Sequence, residues 1–162
     1  MRNLLIVVAV IGLFAWRGGF LNGQVDESVL RGDGGPDPCA LVERCIAVYL
    51  APWCPQCRKS GPLVEALRAR AAGTRGRLGV KVIVGRDERD ALEKYARKLG
   101  GPVYFDDDGG FFRQLGASGV PIWVSWDAEG KILERMSGRP YGAEPEMLVH
   151  HLGQKLGVDD YL

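Results

Sequence analysis

The chain has 162 residues, 46% of them hydrophobic and 25% charged, which is enough for one globular domain with its own core. Lys and Arg number 21 against 20 Asp and Glu, for a formal net charge of +1, so no excess of positive charge gives a reason to bind nucleic acid. No segment matches GxGxxG or GxxxxGK[ST], which removes the common phosphate-cradling loops.

The chain opens with Arg2 and an unbroken apolar run from Leu4 to Trp16, shorter than the ~20 residues of a spanning helix. A charged start before an apolar middle fits an export segment over residues 1–21, either a cleaved signal peptide or an N-terminal membrane anchor. The run is apolar all round, which argues against an amphipathic helix of the domain. Residues 22–38, rich in Gly, Pro and acidic side chains, read as a solvated linker, with Arg31–Asp33 a chance RGD. The domain is then expected over 39–158.

From Ile46 the pattern becomes regular. "IAVYLA" (46–51) is a buried strand, and the segment from Pro55 carries Leu63, Val64, Leu67 and Ala71 at helical spacing. The glycine-rich 73–79 reads as a loop and "VKVIVG" (80–85) as a second strand. Residues 88–100 put Ala91, Leu92, Tyr95, Ala96 and Leu99 on one helical face, stopped by Gly100. "PVYF" (102–105) is a short strand, and 106–116 a turn leading into a short helix. "PIWVSW" (121–126) and "KILERM" (131–136) form a hairpin across "DAEG", and 144–156 is a helix with Leu148, Leu152 and Leu156 on one side. Strands joined by helices should be parallel with right-handed crossovers, and the hairpin antiparallel. The expected fold class is α/β, a mixed central sheet flanked by helices with a small strand–helix insertion.

Chemistry concentrates at "APWCPQCRKSGP". Cys54 falls where the first strand ends and a helix begins, and unpaired N–H groups with the positive end of the helix dipole favour a thiolate there. A thiolate attacks a disulfide to form a mixed disulfide, and a second thiol one turn inward can displace the product. Cys54 is thus the candidate nucleophile and Cys57 the resolving thiol. Trp53 beside it offers a flat apolar contact surface. A zinc site usually takes four ligands, and Cys39, Cys45, Cys54 and Cys57 lack a second tight pair, while the adjacent His150 and His151 diverge on a helix; no metal is assigned. Cys39 and Cys45 allow three readings: a structural disulfide with each other, unpaired thiols, or a relay pair exchanging with Cys54.

"WCPQCR" with Pro62 five residues after Cys57 resembles the active-site signature of the thioredoxin superfamily. "GVPI" (Gly119–Ile122) resembles its second signature, and "SGRP" (Ser137–Pro140) the glycine segment before its last helix. The resemblance implies a thioredoxin-like fold, a cis Pro121 facing the cysteine pair, and main-chain groups of Val120 that pair with an extended substrate peptide. The long gap from Cys57 to Pro121 is similar to the TlpA/ResA branch, which implies an exported or membrane-tethered bacterial reductant. It would have cysteine-containing protein substrates, a membrane-bound electron donor and no cofactor, work at the periplasm or outer face of the inner membrane, and serve redox homeostasis such as cytochrome c maturation. The chain departs from its relatives at Val48 and Ser60, where they carry acids, leaving Glu65, Lys81 or water as candidates for the Cys57 proton. Pro55-Gln56 does not set direction, so a disulfide-donating oxidant is the alternative, and a non-catalytic binding module or metallochaperone a third reading.

Overall fold

The computed structural model describes residues 23–162; the expected export segment, residues 1–21, lies outside them. Six strands form one sheet: β1 (Arg31–Gly32), β2 (Arg44–Leu50), β3 (Leu78–Gly85), β4 (Tyr104–Asp106), β5 (Ile122–Asp127) and β6 (Ile132–Ser137). Among the described residues five α-helices accompany them: α1 (Pro55–Arg58), α2 (Gly61–Gly73), α3 (Arg89–Leu99), α4 (Gly110–Gln114) and α5 (Pro145–Leu156). The strand order is β1-β4-β3-β2-β5-β6. Strands β2, β3 and β4 are parallel, and β5, β6 and β1 join antiparallel. The mixed sheet and the β4–α4 insertion are those the sequence leads one to expect.

Strand β2 is central because all its positions from Cys45 to Leu50 are apolar and buried, so it is covered on both faces. One face collects Ile46, Val48, Val82 and Val84 against Leu63, Leu67, Leu92, Leu148 and Leu152 of the helices, together with Cys54 and Cys57. The other collects Ala47, Tyr49 and Ile83 with Phe111, Phe112, Val124 and Trp126. Each fully buried Leu or Val contributes roughly 1.5–3 kcal/mol of transfer free energy, so both layers matter.

Several boundaries differ from expectation, β2 among them, which begins at Arg44. The continuous helix expected from Pro55 is broken at Lys59–Ser60, with Pro62 in the first turn of α2, where its missing N–H leaves no bond unmade. Strand β3 starts at Leu78, inside the expected loop, because Gly79 pairs with Cys45 and lets the Pro38–Cys39 backbone pass where any Cβ would collide. Strand β4 begins at Tyr104.

The linker expected over 22–38 is corrected from residue 24 onward. Gln24 bridges to Lys131, and Arg31–Gly32 pair with Tyr104–Phe105 as an edge strand. Lys81, 1% exposed, donates to Glu27 (2.7 Å) and Asp37 (2.9 Å). It also lies 4.6 Å from the Tyr104 ring centre. A buried ammonium requires partners, and this segment supplies its carboxylates. The folded unit therefore begins before residue 39. Among the described residues no helix is long and apolar enough to cross a membrane.

Candidate active site

Cys54 is the N-cap of α1, in extended backbone, with Pro55 beginning the helix. Its sulfur accepts the Cys57 N–H at 3.2 Å and its thiol donates to the Val120 carbonyl at 3.4 Å. Cys54 is 4% exposed and Cys57 fully buried. Burial, then the contact with Cys54, pushes the Cys57 thiol up to about 12. Both sulfurs lie in the same apolar cluster, and of the two only Cys54 keeps any exposure.

The loop entering β5 completes the site. The Val120–Pro121 peptide is cis. The Pro121 carbonyl accepts the Gly138 N–H at 2.8 Å, and the Gly138 carbonyl accepts the Trp123 indole N–H at 3.0 Å. The Ser137–Pro140 segment thereby ties the end of β6 to the Pro121 loop. Trp53 is 53% exposed, and its indole donates to the Arg86 carbonyl at 2.9 Å. Arg86 adopts φ +63°, a left-handed conformation that costs a non-glycine residue roughly 1 kcal/mol or more. Trp53 is a surface residue, next to Cys54 in the chain.

Val48 and Ser60 occupy the neighbourhood of the pair without a carboxylate. Val48 lies in the same apolar cluster, and the Ser60 hydroxyl donates to the Gln56 carbonyl at 2.9 Å. Neither acid–base candidate from the sequence is buried at Cys57. Lys81 points to the opposite face of the sheet, on the alternate register from Val80 and Val82, and Glu65 is exposed. The sequence reading missed Tyr95, buried on α3 in the cluster that holds both cysteines, with a hydroxyl that has no hydrogen-bond partner. Burial, then the nearby Cys57 and Cys54 sulfurs, holds that phenol above its ordinary range. Helical spacing marked Tyr95 as a core position, but nothing in it marked the hydroxyl.

Cys39 and Cys45 are joined by a disulfide, with Cα atoms 5.4 Å apart. Cys45 lies at the start of β2 and Cys54 beyond its other end, roughly 20 Å away at ~3.3 Å per residue. The relay reading fails on that distance, and the unpaired-thiol reading on the bond.

No protein-family model matches the sequence, and no curated protein does. Solved structures do. A secreted disulfide oxidoreductase of Mycobacterium tuberculosis, homologous to E. coli DsbE, is 18% identical at TM-score 0.53, covering 69% of this chain and 81% of its own. A Chlorobium tepidum protein provisionally assigned as the thiol:disulfide interchange protein DsbE is 25% identical at TM-score 0.55, covering 71% and 81%. The exposed lipoprotein thioredoxin Etrx1 of Streptococcus pneumoniae is 20% identical at TM-score 0.54, covering 69% and 84%. The chain has the thioredoxin-like fold that these proteins share.

Proposed function

We propose that the protein is a thiol–disulfide oxidoreductase that exchanges a Cys54–Cys57 dithiol with cysteines of exported proteins, acting as a reductant. The observation that supports this most is the position of the Cys54 sulfur, between the Cys57 N–H and the Val120 carbonyl at the sheet's end, beside the exposed Trp53. The reaction balances within the pair. The Cys54 thiolate attacks one sulfur of a substrate disulfide, forming a mixed disulfide and releasing the other sulfur as a thiolate. Cys57 then loses its proton and attacks Cys54, breaking the mixed disulfide and closing Cys54–Cys57. The substrate gains two electrons and two protons. Regeneration takes two electrons from a dithiol donor, for which a membrane-bound protein is the fitting class.

The chain's own residues set the order of events. The Cys57 N–H, at the start of α1, stabilises charge on Cys54. Burial keeps Cys57 protonated while Cys54 attacks, so that Cys54 is the sulfur that meets the substrate disulfide. Main-chain groups of Val120, next to a proline that has no N–H, suit pairing with an extended peptide whatever its side chains. Trp53 offers the flanking apolar surface. Placement outside the cytoplasm draws support from the apolar N-terminal run and from a Cys39–Cys45 disulfide of the kind that persists in oxidising compartments.

The redox potential of the Cys54–Cys57 couple, equilibrated against glutathione, is the deciding measurement. A value near or below about −220 mV supports the reductant, and one near −120 mV would reverse the direction to disulfide donation. Loss of insulin reduction in Cys54→Ser supports the nucleophile; retention would remove it.

A further inference from the structure

Beside the cysteine helix lies a groove of about 650 Å³, between the α1–α2 junction and the end of α3. Its charged lining is Arg58, Arg68, Arg97 and Lys98, against a single carboxylate, Glu65. Among the described residues none of these five makes an ion pair. On a chain whose net charge is only +1, this is a local concentration of unpaired positive charge. It begins one residue after Cys57.

Arg68 makes the groove more than a patch of surface lysines. It is half-buried, and its guanidinium donates to the carbonyls of Leu99, Gly100 and Pro102 at the end of α3. Those contacts cap the helix but bring no negative charge of a full unit. Burial lowers its pKa, and the carboxylate whose field opposes this, Asp33, is committed to the Val103 N–H at 3.1 Å. A buried cation is ordinarily paired with an anion. Arg58 is likewise held in place, donating to the Pro52 carbonyl at 3.0 Å. Arg97 and Lys98 extend from the last turn of α3 with no ion-pair partner among the described residues.

We propose that this groove docks an acidic peptide segment of a partner protein, placed near the partner's exchanging cysteine. Charge complementarity argues for the occupant, and the groove's start at Arg58 argues for its place beside the disulfide being exchanged. Such contacts select partners and speed encounter, while leaving the sulfur chemistry to Cys54 and Cys57. The proposal rests on the thiol–disulfide reading for what the partner does, and not for the binding.

The test uses the full chain and two cysteine-free peptides identical except for Glu or Lys flanks, with fluorescence anisotropy as the readout. The wild type should bind the Glu peptide at least tenfold more tightly at low salt, with the difference collapsing at 0.5 M NaCl. Arg97→Glu/Lys98→Glu should abolish or invert the preference. Lys131→Glu/Lys155→Glu, with the same change in net charge at exposed positions elsewhere, should keep it. Reduction of hydroxyethyl disulfide, which is neutral and small, should be equal in all three proteins. Equal binding of the two peptides by the wild type overturns the proposal, as does a preference that survives Arg97→Glu/Lys98→Glu. Failure to reduce hydroxyethyl disulfide would instead count against the redox reading and leave the binding result standing.

Discussion

The thiol of Cys54 donates to the carbonyl of Val120 across 3.4 Å, although the two residues are 66 positions apart in the chain. That contact ties the start of the first helix to the loop entering β5, and it puts an attacking sulfur against a main-chain edge. With Cys57 fully buried behind it, only Cys54 faces a partner. Cys57→Ser should therefore trap a mixed disulfide with a peptide substrate, visible as a covalent adduct on a non-reducing gel and released by dithiothreitol. Cys54→Ser should give none.

The raised Cys57 thiol predicts a difference in alkaline stability between the two redox states. In the unfolded chain this thiol titrates near 9.0, and in the reduced folded protein near 12. Between those values the folded state holds a proton that the unfolded state has lost, so stability falls as pH rises, by up to about 1.4 kcal/mol per pH unit. The oxidised protein has no such thiol. Urea melts at pH 8 and pH 10.5 should show the reduced form losing more stability than the oxidised form. The buried tyrosines titrate in both states and largely cancel in the comparison.

Lys81 is the anchor of the N-terminal segment. Lys81→Met removes a buried cation from Glu27 and Asp37, which are 28% and 36% exposed as side chains and so partly solvated. A fully buried pair would lose about 3–5 kcal/mol; partial exposure lowers the expected cost to roughly 2–3 kcal/mol. Limited proteolysis should cut within 24–38 in the variant and not in the wild type. Dithiol exchange should persist, because Lys81 faces away from the cysteine pair.

Two buried tyrosines should respond oppositely to loss of the hydroxyl. Tyr49 donates to Asp106 at 2.8 Å, and Asp106 also accepts the Phe111 and Phe112 N–H groups at 3.0 and 2.9 Å. Tyr49→Phe takes one donor from a buried carboxylate and should cost about 1–3 kcal/mol. The Tyr95 hydroxyl has no partner, so Tyr95→Phe should be neutral or stabilising by up to about 1 kcal/mol. Thermal denaturation of both variants separates the cases.

The Cys39–Cys45 disulfide closes a short loop, for which chain entropy gives about 2 kcal/mol. Cys39→Ala/Cys45→Ala should lower stability by that amount and leave the exchange rate unchanged, since the pair sits at the far end of β2 from Cys54. A large drop in exchange by a fully folded variant would revive the relay.

The strands and helices were legible because their signals are local: all-apolar runs for the buried strands, helical spacing at Leu63–Leu67–Ala71, and stop signals such as Gly100. The cysteine pair and the Pro121 loop were legible as motifs. What the sequence could not decide was which distant groups meet. Residues 24–38 look like a linker by composition, yet they fold down because a buried Lys81 on β3 needs their carboxylates. Lys81 and Glu65 were equal candidates for the Cys57 proton until strand alternation sent one to the opposite face and helix orientation left the other in solvent. By itself the sequence determined the elements and the sulfur chemistry on offer, since propensity, periodicity and thiol spacing act over a few residues. Only the tertiary structure decided that Val120 caps Cys54, that Tyr95 lies among the cysteines, and that Arg58 and Arg68 share a groove with the end of α3. Those pairings are set by sheet register and by the burial of charge, which act between segments tens of residues apart.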